Sequence, residues 1–84
     1  MYSAKEWFVP TIMIVHGFRF YFYSNEEQRI HVHVEHQEKE AKIWLDNFEV
    51  AYNWGFPEYE INRIKKLVRV YEKEIKTKWI SHFG

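Results

Sequence analysis

The fold of this chain is decided by one stretch, His31-Val32-His33-Val34-Glu35, in which polar and β-branched residues alternate strictly. Alternation with a period of two predicts a β-strand, because successive side chains of a strand point to opposite faces of the sheet. Val32 and Val34 then share one face, and the two imidazoles and the carboxylate share the other. We expect the valine face to build the core and the histidine face to carry any chemistry.

Further strand-like runs flank this stretch and predict an antiparallel sheet. They span about 11–15, 18–23, 30–36 and 40–45, with 48–52 as a candidate fifth strand. The dipeptide His16-Gly17 predicts a two-residue hairpin turn, since Gly accepts positive φ freely and His is among the residues that tolerate it. The polar run 24–29 predicts a longer loop before the third strand.

The periodicity changes to 3.6 after Pro57, which predicts a helix at about 58–82. Its apolar residues recur every three or four positions, at Ile61, Ile64, Val68, Tyr71, Ile75 and Trp79. The predicted fold class is α+β: a small antiparallel β-sheet of four strands, or five, with one long C-terminal α-helix packed on one face. The 84 residues leave room for a single domain, 1–84.

The composition of the chain limits where the protein is expected to be located in the cell. The chain has no cysteine, so it has neither disulfides nor a thiolate zinc site, and we expect a cytoplasmic location. No apolar run approaches the roughly 20 residues that span a bilayer, and we expect no membrane anchor and no signal peptide. The net charge is zero, but residues 58–84 hold 7 Lys and Arg against 4 Asp and Glu, so this part is basic.

Strand parity divides the sheet residues into two faces. The first face is apolar and should carry the helix: Phe18, Phe20, Phe22, Ile30, Val32, Val34, Ala41, Ile43 and Leu45. The second mixes rings, imidazoles and charges: Arg19, Tyr21, Tyr23, His31, His33, Glu35, Lys42 and Trp44. We call this second set the polar–aromatic face and expect it to be open to solvent and to hold the functional site.

Several ordered blocks of the chain carry a resemblance to a known family. They are Pro10-Thr11-Ile12, the run from Gly17 to Glu26, His31-Val32-His33-Val34, Ala41-Lys42-Ile43-Trp44-Leu45, Gly55-Phe56 and the closing run from Trp79 to Gly84. Over nearly its whole length the chain resembles the small prokaryotic family catalogued as domain of unknown function 4160. Two features depart from the family pattern: Ile30 stands where proline is usual, and residues 1–8 form an additional N-terminal segment.

The resemblance implies no established activity. Its members look like short stand-alone proteins, often encoded beside a second small protein, which implies a role in toxin–antitoxin-like pairs. We favour a binding module in which the open face or the helix end holds a small protein partner, or a nucleic acid such as single-stranded RNA, without chemistry. Its binding residues would be Tyr21, Tyr23, Glu35, Lys42 and Trp44, since Tyr, Trp and Arg dominate interface hot spots.

Two other functions fit the same face. In a metal-independent ribonuclease, His31 and His33 would act as acid and base, Arg19 would contact the phosphate, and the rings would stack single-stranded RNA. In a metal site, His31, His33 and Glu35 would be the ligands, although a third strong ligand is not obvious and we expect no cofactor. The simplest alternative is that both histidines are polar residues on a solvent-facing strand. The face assignment itself predicts that His33→Ala leaves the melting temperature within a few degrees and that Val34→Ala lowers it by several.

A second candidate surface lies on the predicted helix. Its cations fall roughly on one stripe and could follow a phosphate backbone: Lys65, Lys66, Arg69, Lys73 and Lys76. A solvated helix face, with Glu72 and Glu74 interleaved, is the favoured interpretation of this stripe.

Overall fold

The computed structural model describes residues 11–23 and 28–83, and its fold confirms the α+β prediction. Five antiparallel strands follow one another in sheet order: β1 (Thr11–Val15), β2 (Phe18–Tyr21), β3 (His31–His36), β4 (Lys39–Trp44) and β5 (Val50–Trp54). Two helices come next, α1 (Glu58–Val70) and α2 (Glu72–Phe83). The additional segment 1–8 and residues 24–27 of the expected loop lie outside the described residues.

The hairpins explain why the strands pair in this register. His16 and Gly17 both have positive φ, which is the type I′ geometry that matches the twist of the flanking strands and confirms the predicted turn. Gln37 and Glu38 repeat this geometry between β3 and β4, although neither is glycine. The His36 ring holds the two turns together, since its Nδ1 lies 3.0 Å from the Gly17 carbonyl oxygen and must donate to it.

The apolar face of the sheet is the core, as parity predicts. Phe20 on β2 pairs with Val34 on β3, and Val34 pairs with Ala41 on β4. All three side chains are fully buried. The helices cover this face with Ile64, Val68 and Ile75, which are also fully buried, so sheet and helices form two layers around one core.

The predicted single helix is in fact two helices that meet at Tyr71. The backbone leaves helical geometry there, with φ −101° and ψ 15°. Hydrogen bonds nevertheless continue on both sides, from Tyr71 N–H to Leu67 and from Ile75 N–H to Tyr71. A straight helix of this length would reach nearly 40 Å at about 1.5 Å per residue. Beyond Tyr71 the apolar residues Trp79 and Phe83 of α2 still pack against the core.

Candidate functional site

Strand register brings the polar–aromatic face together. Tyr21, His33, Lys42 and Tyr52 form one cross-strand row over β2 to β5. A second row joins Arg19, Glu35, Glu40 and Trp54. Side chains in such rows stand about 5 Å apart and therefore interact. The face predicted from parity is thus one continuous surface, and it extends onto β5.

The expectation that the two histidines lie open to solvent is wrong. His31 is 0% exposed and His33 is 3% exposed, although strand parity puts both on the face opposite Val32 and Val34. Neighbouring rings cover His33: Tyr21 stacks on it with ring centroids 5.3 Å apart, and Tyr23 meets it edge-on at 4.5 Å. Large aromatic side chains have therefore built a second, smaller core on the face that parity alone leaves in water.

His33 belongs to a hydrogen-bonded group with a carboxylate and a phenol. The Tyr52 hydroxyl donates a short hydrogen bond to Glu40 Oε2 and lies 3.1 Å from His33 Nδ1. Since the Tyr52 hydroxyl donates its one hydrogen bond to the carboxylate, His33 Nδ1 must carry the hydrogen and donate to the Tyr52 oxygen. Glu40 Oε2 also lies 3.7 Å from His33 Nδ1 and accepts from the Tyr23 hydroxyl at 3.4 Å. These contacts hold the imidazole in one orientation and one tautomer.

His31 is held by a different set of contacts at the start of β3. Its Nδ1 lies 2.7 Å from the Arg29 carbonyl oxygen, so this nitrogen is also the donor. Its ring meets Trp44 and Trp79 edge-on, with centroids 5.6 Å and 5.0 Å away. Trp79 comes from α2 and also packs on Phe22 of the core, at 5.2 Å. The end of the last helix therefore joins the core to the histidine cluster.

The cations of this face are paired. Arg19 forms a short ion pair with Glu35, donates to the Thr11 hydroxyl and lies over the Tyr21 ring. Lys42 lies over the Trp44 ring, with Nζ 4.5 Å from its centroid. The predicted phosphate contact, Arg19, is therefore already neutralised by a carboxylate.

Arg29 forms the second pair on this face, with both carboxylate oxygens of Asp46 at 2.8 and 2.9 Å. The hydrogen bonds from Arg29 hold the pKa of the Asp46 carboxyl below its ordinary value. The same guanidinium lies 4.0 Å from the centre of the Trp44 ring. These contacts fix the loop that enters β3 against the end of β4.

Burial also changes the properties of Tyr21. Its enclosure raises the pKa of the phenol well above its ordinary value, and the hydrogen bond with Tyr23 and the negative charge of Glu40 act in the same direction. Tyr21 therefore keeps its proton throughout the physiological range and serves as a hydrogen-bonding group rather than as an acid.

Sequence reasoning missed three members of this face. Glu40 shares its parity with Lys42 and Trp44, so alternation along β4 was a sufficient signal for it. Tyr52 and Trp54 depend on β5, which begins and ends two residues later than the candidate strand 48–52. A bulge between Lys42 and Ile43 sets the register in which β5 pairs with β4, and no local sequence pattern indicates this bulge.

The described residues contain neither a metal cluster nor a membrane helix. Among residues 11–23 and 28–83, no three His, Asp or Glu side chains are grouped so that they could hold one ion. Glu35, the third ligand considered from sequence, is instead paired with Arg19. No helix in this part of the chain is long and apolar enough to cross a bilayer.

Comparison with known proteins identifies a family and no function. No curated protein sequence and no solved structure matches the chain significantly. One family model, described as a domain of unknown function (DUF4160), matches residues 17–80. That range covers the sheet from β2 to β5 and most of both helices, well over half of the chain, and the chain therefore belongs to the DUF4160 family.

Proposed function

We propose that this protein is a binding module that takes a small protein partner on its polar–aromatic face, as one member of a toxin–antitoxin-like pair. The observation that carries the proposal is the Trp54 indole, which is 63% exposed and stacks on Tyr52 with ring centroids 4.4 Å apart. The Tyr52 hydroxyl is anchored to His33 and Glu40 beneath it. A large ring held in place at the surface loses little conformational freedom on binding, which favours a hot spot.

The charges of the face favour a protein over a polyanion. Its two arginines are paired with Glu35 and Asp46, so they present little net positive charge to a phosphate backbone. Cores of protein interfaces are rich in Tyr, Trp and Arg and poor in unpaired charge, and Tyr23, Trp54 and Arg19 supply these residue types. The absence of cysteine favours a cytoplasmic setting for the pair.

The expected result is a loss of partner binding when the exposed indole is removed. The tagged full chain is purified from its native host, the co-purifying small protein is identified by mass spectrometry, and the two purified proteins are titrated by calorimetry. Trp54→Ala should raise Kd about 30-fold, the effect of a typical hot-spot residue. The matched control is Tyr59→Ala, since Tyr59 is 71% exposed but lies on α1, which covers the opposite face. Failure to isolate a small partner, or equal effects of the two variants, would overturn the proposal.

One observation favours the ribonuclease alternative. Hydrogen bonds assign Nδ1 as the donor in both His31 and His33, so in the neutral rings Nε2 carries the lone pair that a general base needs. Burial opposes it, because a ribose hydroxyl must come within hydrogen-bond reach of that nitrogen and both rings are enclosed.

We expect purified protein to leave a labelled single-stranded RNA uncut, with or without EDTA. The double variant His31→Ala/His33→Ala serves as the comparison. EDTA-resistant cleavage that disappears in this variant would replace the binding module with an imidazole-driven ribonuclease. EDTA-sensitive cleavage would point to a metal-dependent enzyme instead.

A further inference from the structure

The positive charges of the described chain are divided sharply between paired and unpaired groups. Arg19, Arg29, Lys39, Lys76 and Lys78 each form an ion pair, and Lys42 lies over an aromatic ring. The remaining Lys and Arg of residues 11–23 and 28–83 form no ion pair with another described residue, and all five lie on the helices: Arg63, Lys65, Lys66, Arg69 and Lys73. We call these five the basic stripe.

The basic stripe lies on the outside of the helical layer. Arg63, Lys66, Arg69 and Lys73 are exposed, and Lys65 is half-buried. On α1, Arg63, Lys66 and Arg69 point away from the side that carries the buried Ile61, Ile64 and Val68. The five cations extend about 15 Å along the two helices at 1.5 Å per residue. The stripe therefore lies on the other side of the molecule from Trp54 and the polar–aromatic face.

The spacing of the cations in the basic stripe destabilises the helix that carries them. Residues three or four apart are neighbours on a helix surface, and like charges at those distances repel. Four such pairs occur within the stripe, for example Lys66 with Arg69 and Arg69 with Lys73, while no acidic residue lies between Ile61 and Tyr71. An ordinary solvated face interleaves both signs, as Glu72 and Lys76 do one turn later. A bound anion would relieve the repulsion between these positive charges.

The chemistry of the stripe selects among anionic partners. Lysine is depleted from protein–protein interfaces, and three of the five cations are lysines. A helix that inserts into a lipid surface needs an apolar side, but the apolar side of α1 is buried against the sheet. Nucleic-acid interfaces are by contrast strongly positive and polar. Arg69 also has its guanidinium held 4.7 Å from the Phe48 ring centre, which presents a planar fork suited to phosphate.

We infer that the basic stripe binds the phosphodiester backbone of a nucleic acid. The stripe tracks successive phosphates along α1 and the first turn of α2, without reading bases. This activity does not rest on the proposed protein partner, because the two surfaces share no residue. It also moves the expected RNA contact from the sheet, where the arginines are paired, to the helices.

The test is fluorescence anisotropy with a labelled single-stranded RNA of about 12 nucleotides and a duplex DNA of the same length. Contact of all five cations with phosphates predicts that affinity for the single strand falls roughly 100-fold between 50 and 200 mM salt. Preference for the single strand or for the duplex identifies which source of phosphodiester the stripe takes.

Matched lysine variants assign the binding to the stripe. Lys66→Ala/Lys73→Ala removes two lysines that form no ion pair within the described part of the chain, and should weaken binding about tenfold or more at 50 mM salt. Lys76→Ala/Lys78→Ala removes the same net charge from α2, but from lysines already paired with Glu72 and Glu74, and should change affinity by about twofold or less. Thermal unfolding of both variants checks that they fold equally well, and Trp54→Ala should bind nucleic acid normally.

Three outcomes would overturn the inference. The first is absence of salt-dependent binding to either probe, and the second is equal weakening by the two lysine pairs. The third is displacement of the RNA by polyglutamate at equal charge concentration, which would identify an acidic protein as the ligand. None of these outcomes touches the Trp54 experiment, so this inference and the proposed function can fail separately.

Discussion

Trp79→Ala is expected to lower the free energy of unfolding by about 3 kcal/mol, the lower end of the range for removing a packed Trp or Phe. The half-buried indole packs against the edge of the core, with ring centroids 5.2 Å from Phe22, 4.4 Å from Phe83 and 5.0 Å from His31. Its removal takes away these ring contacts and uncovers the buried His31 ring. Urea unfolding followed by circular dichroism measures the loss.

The neighbouring residue supplies the control for this prediction. Ile80 is 64% exposed on the same helix, so Ile80→Ala should change stability by only about 0.5 kcal/mol. The His31 ring signals in an NMR spectrum should shift in Trp79→Ala and stay in place in Ile80→Ala, because only the indole lies against that imidazole. Equal losses in the two variants would show that Trp79 does not join α2 to the histidine cluster.

His33→Ala is expected to cost about 2 kcal/mol, where strand parity alone predicts almost none. The imidazole is enclosed by Tyr21 and Tyr23, and its loss removes the hydrogen-bond partner of the Tyr52 hydroxyl. Both the cavity and the loss of this hydrogen bond destabilise the folded state, although the Tyr52 hydroxyl keeps its hydrogen bond to Glu40. The midpoint of thermal unfolding should fall by several degrees, as it should for Val34→Ala on the opposite face.

Glu35→Ala is the matched control on the same strand and face. Its carboxylate is 44% exposed and paired with Arg19, so its removal should cost about 1 kcal/mol or less. A double-mutant cycle between His33→Ala and Tyr52→Phe should show coupling, since the two groups share a hydrogen bond. A loss for His33→Ala no larger than that for Glu35→Ala would restore the view of His33 as an ordinary solvent-facing residue.

Local sequence patterns account for most of the fold. Period-two alternation in residues 31–35 assigns the two faces of β3 correctly, because a strand has no freedom to change which side chains share a face. The His16-Gly17 turn follows from the few residues that accept positive φ. The helical stripe follows from burial of one helix face. Each of these features depends on residues within a few positions of one another.

The candidate site could be predicted only in part. Strand parity predicts the face of the site residues on β2, on β3 and in the later half of β4. It also indicates the face of Glu40, which was overlooked. Tyr52 and Trp54 could not be placed because their strand pairs with β4 through a bulge. His31 and His33 are buried by rings on or next to other strands and on α2, all of them 10 or more positions away in the sequence. Exposure is a property of the assembled surface, so alternation could assign the face of each histidine but not its contact with water.

By itself the sequence determined which residues alternate, where the chain turns and which helix face is apolar, because covalent geometry and local sterics act over a few residues. Only the tertiary structure decided that Tyr21 and Trp79 enclose the histidines and that Glu40 and Tyr52 orient His33. It also decided that, among residues 11–23 and 28–83, five helix cations form no ion pair. These outcomes depend on which distant side chains fill the same space and neutralise the same charges. Packing and pairing are settled only when the strands and helices come together.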